Sequence, residues 1–290
     1  MPNWYIFSIV ALIFMGIQRF LYKVSAERKC PTAWTTFSFM TTVTLLSVVF
    51  FFLRGESISN AKMLWLTAAL NSGSFLAGTI THIEALKHIS ASVVYPVIRL
   101  NMVIVVLFSL FYFHDRLSLY QVVGIALAIA VILILTRDMD DKETKYGNIR
   151  KGLMLVSISV MSGSVASISS KLAALYANKL AFMSLSYFMG ACFSLGLTTR
   201  LEKGSAKKNH KEALTIGFFM GLINFVGFYA FLKALSVGPL SIIVSMVGMH
   251  FVIAVILSAL IYKERVTFLR VLGTLLTVVS ILLLRMGPVH

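Results

Sequence analysis

The chain has 290 residues, of which 58% are hydrophobic and 13% charged. Its mean hydropathy is +0.88, and a water-soluble domain of this size would need far more polar surface. The net charge of +15 would suit nucleic acid, but the bases cluster in short groups at the ends of apolar runs, as membrane topology requires, so no nucleic-acid partner is expected.

Apolar runs of about 20 residues are long enough to cross a hydrocarbon core as helices, and they lack the alternation of barrel strands. In chain order, spans are predicted at 3–22, 32–53, 63–86, 90–113 and 119–136. The stretch 137–151 carries Asp138, Asp140, Asp141 and Glu143 with several bases, and reads as a connector between halves. Five more spans follow at 152–176, 181–199, 213–235, 239–262 and 266–286. The domain organisation expected is therefore a first five-helix repeat over 1–137, a polar connector over 138–151 and a second repeat over 152–290. The first span has no basic residue before it and no small-residue cleavage site after it, so it reads as an uncleaved helix. Cys30 and Cys192 lie 162 residues apart without metal-binding spacing and are expected to be unpaired.

The chain repeats itself. At an offset of 149 residues Ala85 and Leu86 fall on Ala234 and Leu235, Ser92 on Ser241, Asp115 and Arg116 on Glu264 and Arg265, Ser118 on Thr267, and Gly124 on Gly273. At an offset of 148, Gly16 and Lys23 fall on Ser164 and Lys171. Each half holds an odd number of helices, so the second half enters the bilayer inverted. Inverted repeats are characteristic of secondary transporters, whose substrate site sits where the halves meet near the bilayer midplane. The fold class expected is an all-α integral membrane protein of about ten transmembrane helices, in two inverted five-helix repeats around a central cavity.

The repeated segments read ALKHISASVVYPVIRL with HDRLS in the first half, and ALSVGPLSIIVSMVG with KERVT in the second. An Ala-Leu pair, a small-residue turn, an apolar helix, then an acid and Arg before a helix with an early Gly resembles the EamA family of the drug/metabolite transporter superfamily, in its ten-helix form. The resemblance covers nearly the whole chain. It implies a ten-helix fold around a central cavity that moves metabolites, in a multi-pass protein of the cell (inner) membrane. One departure is Phe14-Met15-Gly16, where many members have Trp-Gly.

A charge at the bilayer centre costs about 2.5–3.5 kcal/mol on insertion scales, so each intramembrane ionisable group needs a partner, water or a function. Arg99 lies about nine residues into the fourth span, followed by Asn101, and the repeat places His250 opposite Asn101. A guanidinium at that depth suits a carboxylate or phosphate. Arg99, Asn101, His250, Lys171 and the neighbouring Tyr95 are thus the expected substrate-binding residues. The alternative for Arg99 is a structural role, satisfied by helix carbonyls or Glu84. Lys171 follows a serine run that serves cavity lining and close packing equally well. Lys23 is expected to snorkel to the interface. Gln18, Arg19, Asn71 and Asn224 are expected to face protein. Glu84 and His82, at the end of the third span, are candidates for a proton site or a plain interfacial charge cluster. Asp115 and Glu264 are expected to cap helices, and Pro96 to kink the fourth helix.

No catalytic, metal-binding or cofactor-binding constellation is legible, so the chain is expected not to be an enzyme and to need no cofactor. The expected function is secondary transport, as exporter or exchanger, of small polar metabolites, anionic ones among them, by alternating access. The rivals are a multidrug exporter, favoured by 22 Phe and 14 Met, and a membrane enzyme acting on lipid-linked substrates. Leaving out Arg19, Arg99 and Lys171, 17 bases follow odd-numbered helices and 6 lie elsewhere, which by the positive-inside rule points both termini away from the cytoplasm.

Overall fold

The computed structural model describes residues 3–85, 88, 94, 97–98, 100–137, 149–201, 209–262 and 268–286. Among them the chain forms ten helices: α1 (Asn3–Glu27), α2 (Thr32–Leu53), α3 (Ala61–Ala85), α4 (Asn101–Phe113), α5 (Leu119–Arg137), α6 (Ile149–Tyr176), α7 (Lys179–Leu201), α8 (His210–Val237), α9 (Leu240–Tyr262) and α10 (Phe268–Arg285). Six of these, α1, α2, α3, α6, α8 and α9, are long and apolar enough to span a membrane, while α4, α5 and α10 contribute shorter apolar stretches. Large apolar side chains such as Phe52, Phe111 and Leu119 point outward, as a lipid-solvated surface requires.

The two halves interleave. α1 packs on α8 as α6 packs on α3, α2 pairs with α7, α5 with α10 and α4 with α9. Each pairing is its own counterpart, or has one, when the halves are exchanged, which is the pseudo-two-fold relation of an inverted repeat. The side chains follow it closely. Gly227 lies against Phe14 and Gly78 against Ser162. Gly16 lies against the carbonyl of His250, and the Ser164 hydroxyl donates to the carbonyl of Asn101 at 3.2 Å. Residues related by 148 in α1 and α6 thus meet residues related by 149 in the other helices.

Close approach between α2 and α8 rests on Gly217 and Gly221, one turn apart, which face Thr35, Ser38 and Thr42 and let the backbones touch, as small residues do in membrane helix pairs. Ser38 exploits the approach by donating to the Leu214 carbonyl at 2.7 Å. Several other buried hydroxyls turn back on their own helix, as Ser8 does to Trp4, Thr42 to Ser38, Ser245 to Ser241 and Thr277 to Gly273, so these are satisfied without a partner helix. Cys30 is buried and Cys192 exposed, and neither forms a disulfide.

Three features differ from the sequence expectation. α1 continues to Glu27 rather than ending near residue 22, because its last turns still pack, with the Lys23 ammonium 5.4 Å from the centre of the Tyr262 ring. Second, α9 is not continuous: it breaks between Gly248 and Phe251, where Met249, His250, Val252 and Ile253 bond to carbonyls three residues back rather than four. The same tightening occurs at the start of α4, where Leu100 and Val103 bond to Val97 and Leu100, so the breaks at 100 and 249 are related by the repeat. Pro96, expected to cause the kink in α4, lies outside the described residues. Third, α4 finishes in a π-helical turn from Ser109 to Phe113.

Candidate functional site

A cavity of about 360 Å³ lies between the halves, at mid-length of the helices that wall it. From α1 and α6 it takes pairs at the 148-residue offset: Met15 and Gly163, Gln18 and Ala166, Arg19 and Ser167, Tyr22 and Ser170. The same backbone positions of two related helices therefore form opposite walls. Their chemistry is unequal, since α1 supplies an amide, a guanidinium and a phenol where α6 supplies only a methyl group and two hydroxyls. α3 adds Asn71 and Phe75, α7 adds Tyr187, α8 adds Asn224 and Phe228, and the break in α9 adds His250. Among these lining residues there is no Asp or Glu.

Arg19 and His250 are joined. Arg19 Nε donates to His250 Nε2 at 3.1 Å, and His250 Nδ1 lies 2.7 Å from the Val247 carbonyl oxygen. A carbonyl only accepts, so Nδ1 carries the hydrogen and Nε2 of the neutral ring is left as the acceptor that Arg19 uses. The guanidinium lies 5.8 Å from the centre of the Tyr22 ring, and its two terminal nitrogens have no hydrogen-bond partner among the described residues. They are a planar pair of donors, the geometry that binds two oxygens of a carboxylate or phosphate at once.

A neutral network stiffens the wall beside it. Tyr187 donates to Asn224 Oδ1 at 2.6 Å, and Asn224 Nδ2 donates to Gln18 Oε1 at 2.8 Å. This ties α7, α8 and α1 together next to Arg19. On the opposite wall Asn71 Nδ2 donates to the Ala166 carbonyl at 2.9 Å and to Ser170 Oγ at 3.0 Å. Asn71 and Asn224 thus make interhelical hydrogen bonds, as expected.

The residues singled out from the sequence divide into four groups. His250 lines the cavity. Asn101 stands behind the wall, its amide against Gly163. Lys171 points elsewhere: its ammonium donates to the carbonyls of Leu235 and Gly238 at 2.7 and 2.8 Å, with the Phe113 ring 5.5 Å away. It compensates the carbonyl end of α8, where the helix dipole favours a cation. Glu84 and His82 end α3 away from the cavity lining, with Glu84 Oε1 3.7 Å from His88 Nε2. Arg99 and Tyr95 lie outside the described residues. The charged lining residue that the sequence reading did not place in the site is Arg19. The signal that would have found it is the length of α1: with the helix running to Glu27, Arg19 is eight residues from its end, about 12 Å deep at 1.5 Å per residue.

Asp115 caps in trans. Its carboxylate accepts from the Ser109 hydroxyl and, across the halves, from Ser241 N at 3.1 Å and Ser241 Oγ at 2.7 Å, holding the N-terminus of α9. Glu264, its repeat partner, lies outside the described residues.

Two comparisons place this architecture. A solved crystal structure described only as that of a protein superposes with a TM-score of 0.78, at 15% identity, covering 97% of this chain and 95% of its own; at that identity the likeness concerns the fold. No curated protein matches the chain. The model of the EamA-like transporter family matches twice, over residues 2–137 and 150–286, one match for each inverted half around the cavity. The chain belongs to the EamA-like transporter family, a multi-pass membrane transporter of small molecules.

Proposed function

We propose that the protein carries small organic anions, a carboxylate or phosphate on a compact and at least partly apolar body, across the membrane by alternating access. The observation that supports this is the Arg19 guanidinium, which lines a cavity between the halves whose described lining holds no acid to neutralise it, and whose terminal nitrogens have no hydrogen-bond partner among the described residues. A charge there is costly, and an anionic substrate offsets that cost. The 360 Å³ volume fits a small metabolite, and the rings of Phe39, Phe75 and Phe228 suit its apolar part.

The test is a stability screen of small carboxylates, phosphates and neutral and cationic aromatics on the purified protein, followed by counterflow of each stabilising compound in vesicles. Anions should stabilise the wild type. Arg19→Gln should remove their stabilisation and reduce counterflow at least tenfold, while the unliganded midpoint stays within a few degrees, and Arg19→Lys should restore part. Anion counterflow unchanged in a well-folded Arg19→Gln protein overturns the reading. A multidrug role is favoured by Met15 and Met40 beside the ring-lined wall, since flexible thioethers accommodate varied shapes; it predicts lipophilic cations as ligands, insensitive to Arg19→Gln.

A further inference from the structure

We propose that His250 is the proton-coupling site of this transporter, acting as a switch on Arg19. The inference rests on the anionic-substrate reading for its direction, but its mechanism stands on geometry alone. Both imidazole nitrogens are engaged: Nδ1 with the Val247 carbonyl, Nε2 with Arg19 Nε. The first contact fixes the neutral tautomer, and the second exists only while Nε2 keeps its lone pair. A proton arriving from water in the cavity occupies that lone pair. Two N–H groups then face one another, the bond is lost, and a second positive charge appears beside the guanidinium.

Proton binding and the Arg19–His250 bond therefore exclude each other, whereas proton binding and anion binding favour each other. An anion between Arg19 and His250 accepts from both cations and holds the proton in place. The proton thus enters with the anion, and by linkage the anion binds more tightly when the proton is present. His250 stands at the discontinuity of α9, and Gly16 of α1 lies against its carbonyl, so the side chain sits where helices of opposite halves touch. A change in charge there acts directly on the contact between halves.

Among the described residues the other ionisable groups on the surrounding elements are engaged elsewhere or lie at helix ends. α1 brings Arg19, then Tyr22 and Lys23, whose ammonium is held over the Tyr262 ring at the far end of α9. α7 brings Tyr187, bonded to Asn224 of α8. The described part of α4 near the break brings Asn101 and Met102, the latter with its sulfur against Gly248. α5 and α10, packed behind α9, carry ionisable residues only at their ends.

The experiment is nitrogen NMR of protein labelled at arginine and histidine side chains in lipid nanodiscs, from pH 8 to 5, on wild type and His250→Gln. Glutamine offers Arg19 an acceptor that takes no proton. In the wild type, the Arg19 Nε resonance should move with the same midpoint as the His250 ring nitrogens; in His250→Gln it should stay flat over that range. Addition of benzoate or phenyl phosphate should raise the wild-type midpoint. An Arg19 resonance that ignores His250 titration, or that still titrates in His250→Gln, overturns the proposal. Should the Arg19 response appear while neither probe moves the midpoint or binds, the switch stands and the anionic-substrate reading fails, so the two failures are read separately.

Discussion

A methyl group added at Gly16 tests the contact between the halves. In Gly16→Ala the new carbon would stand 2.6 Å from the His250 carbonyl oxygen and 2.9 Å from Ile253 Cγ1. Ordinary contacts of these kinds settle at about 3.3 Å and 3.5–4.0 Å, so α1 must retreat from the α9 break by roughly 0.7–1 Å. The obstacle is backbone and a stiff β-branched residue, so neither gives way cheaply. Overpacking of this kind costs about 1–3 kcal/mol. Arg19, one turn on, retreats with the helix, and its 3.1 Å bond to His250 stretches toward 4 Å, beyond hydrogen-bonding range, for a further loss of about 1 kcal/mol. The expected total is about 2–4 kcal/mol, read by reversible denaturation in mixed micelles. Gly73→Ala is the control: nothing lies within 4 Å of its added carbon, and relieving a helix-interior glycine should stabilise by about 0.5–1 kcal/mol. Equal stability of Gly16→Ala and wild type would refute the close approach of α1 to the α9 break.

The cap that Asp115 provides in trans should be costly to lose: Asp115→Ala strands the Ser241 amide and two hydroxyls, and should lower stability by about 2–3 kcal/mol in the same assay, with Asp115→Asn recovering roughly half. Lys171→Met should lower stability by about 1–2 kcal/mol through the two carbonyls it leaves at the end of α8, yet leave transport per folded molecule near normal; a selective loss of transport would return Lys171 to the site. The positive-inside count points both termini away from the cytoplasm; if so, a reporter that is active only after export should be active when fused after His290, and a reporter active only in the cytoplasm should be silent there.

The helices were legible because lipid imposes one rule on every span, a long apolar run with charges at its ends, and lengths and breaks in the sequence express that rule directly. The repeat was legible because the register between Ala85 and Gly124 and its copy contains no insertion. What escaped depended on neighbours. Nothing in Leu240–Tyr262 is a proline, so the break at Met249 and His250 does not announce itself; it lies where Gly16 of another helix brings its backbone against the His250 carbonyl. The sequence marks Tyr22 and Lys23 as an interface, so it sets the end of α1 too early and gives Arg19 as protein-facing rather than as a cavity-lining charge. Lys171 was read from its serine-rich helix, whereas its ammonium is claimed by carbonyls that only the fold brings near.

The symmetry of the backbone and the asymmetry of the lining together explain why the charged pair matters. In an inverted repeat the inward- and outward-facing states exchange the packing of the two halves, so with identical halves the two states would be equivalent. Here Arg19 meets His250, while the corresponding contact of the other half joins α6 to Asn101, with Ser167 at the position of Arg19 and the Ser164 hydroxyl on the Asn101 carbonyl. Among the described residues one contact between halves pairs a guanidinium with an imidazole and the other a hydroxyl with a carbonyl, so on the proposed reading changes in proton or anion concentration bear on the first. A ligand shifts a two-state equilibrium only by its difference in affinity for the two states, and on the proposed reading the Arg19–His250 contact is where this chain builds such a difference.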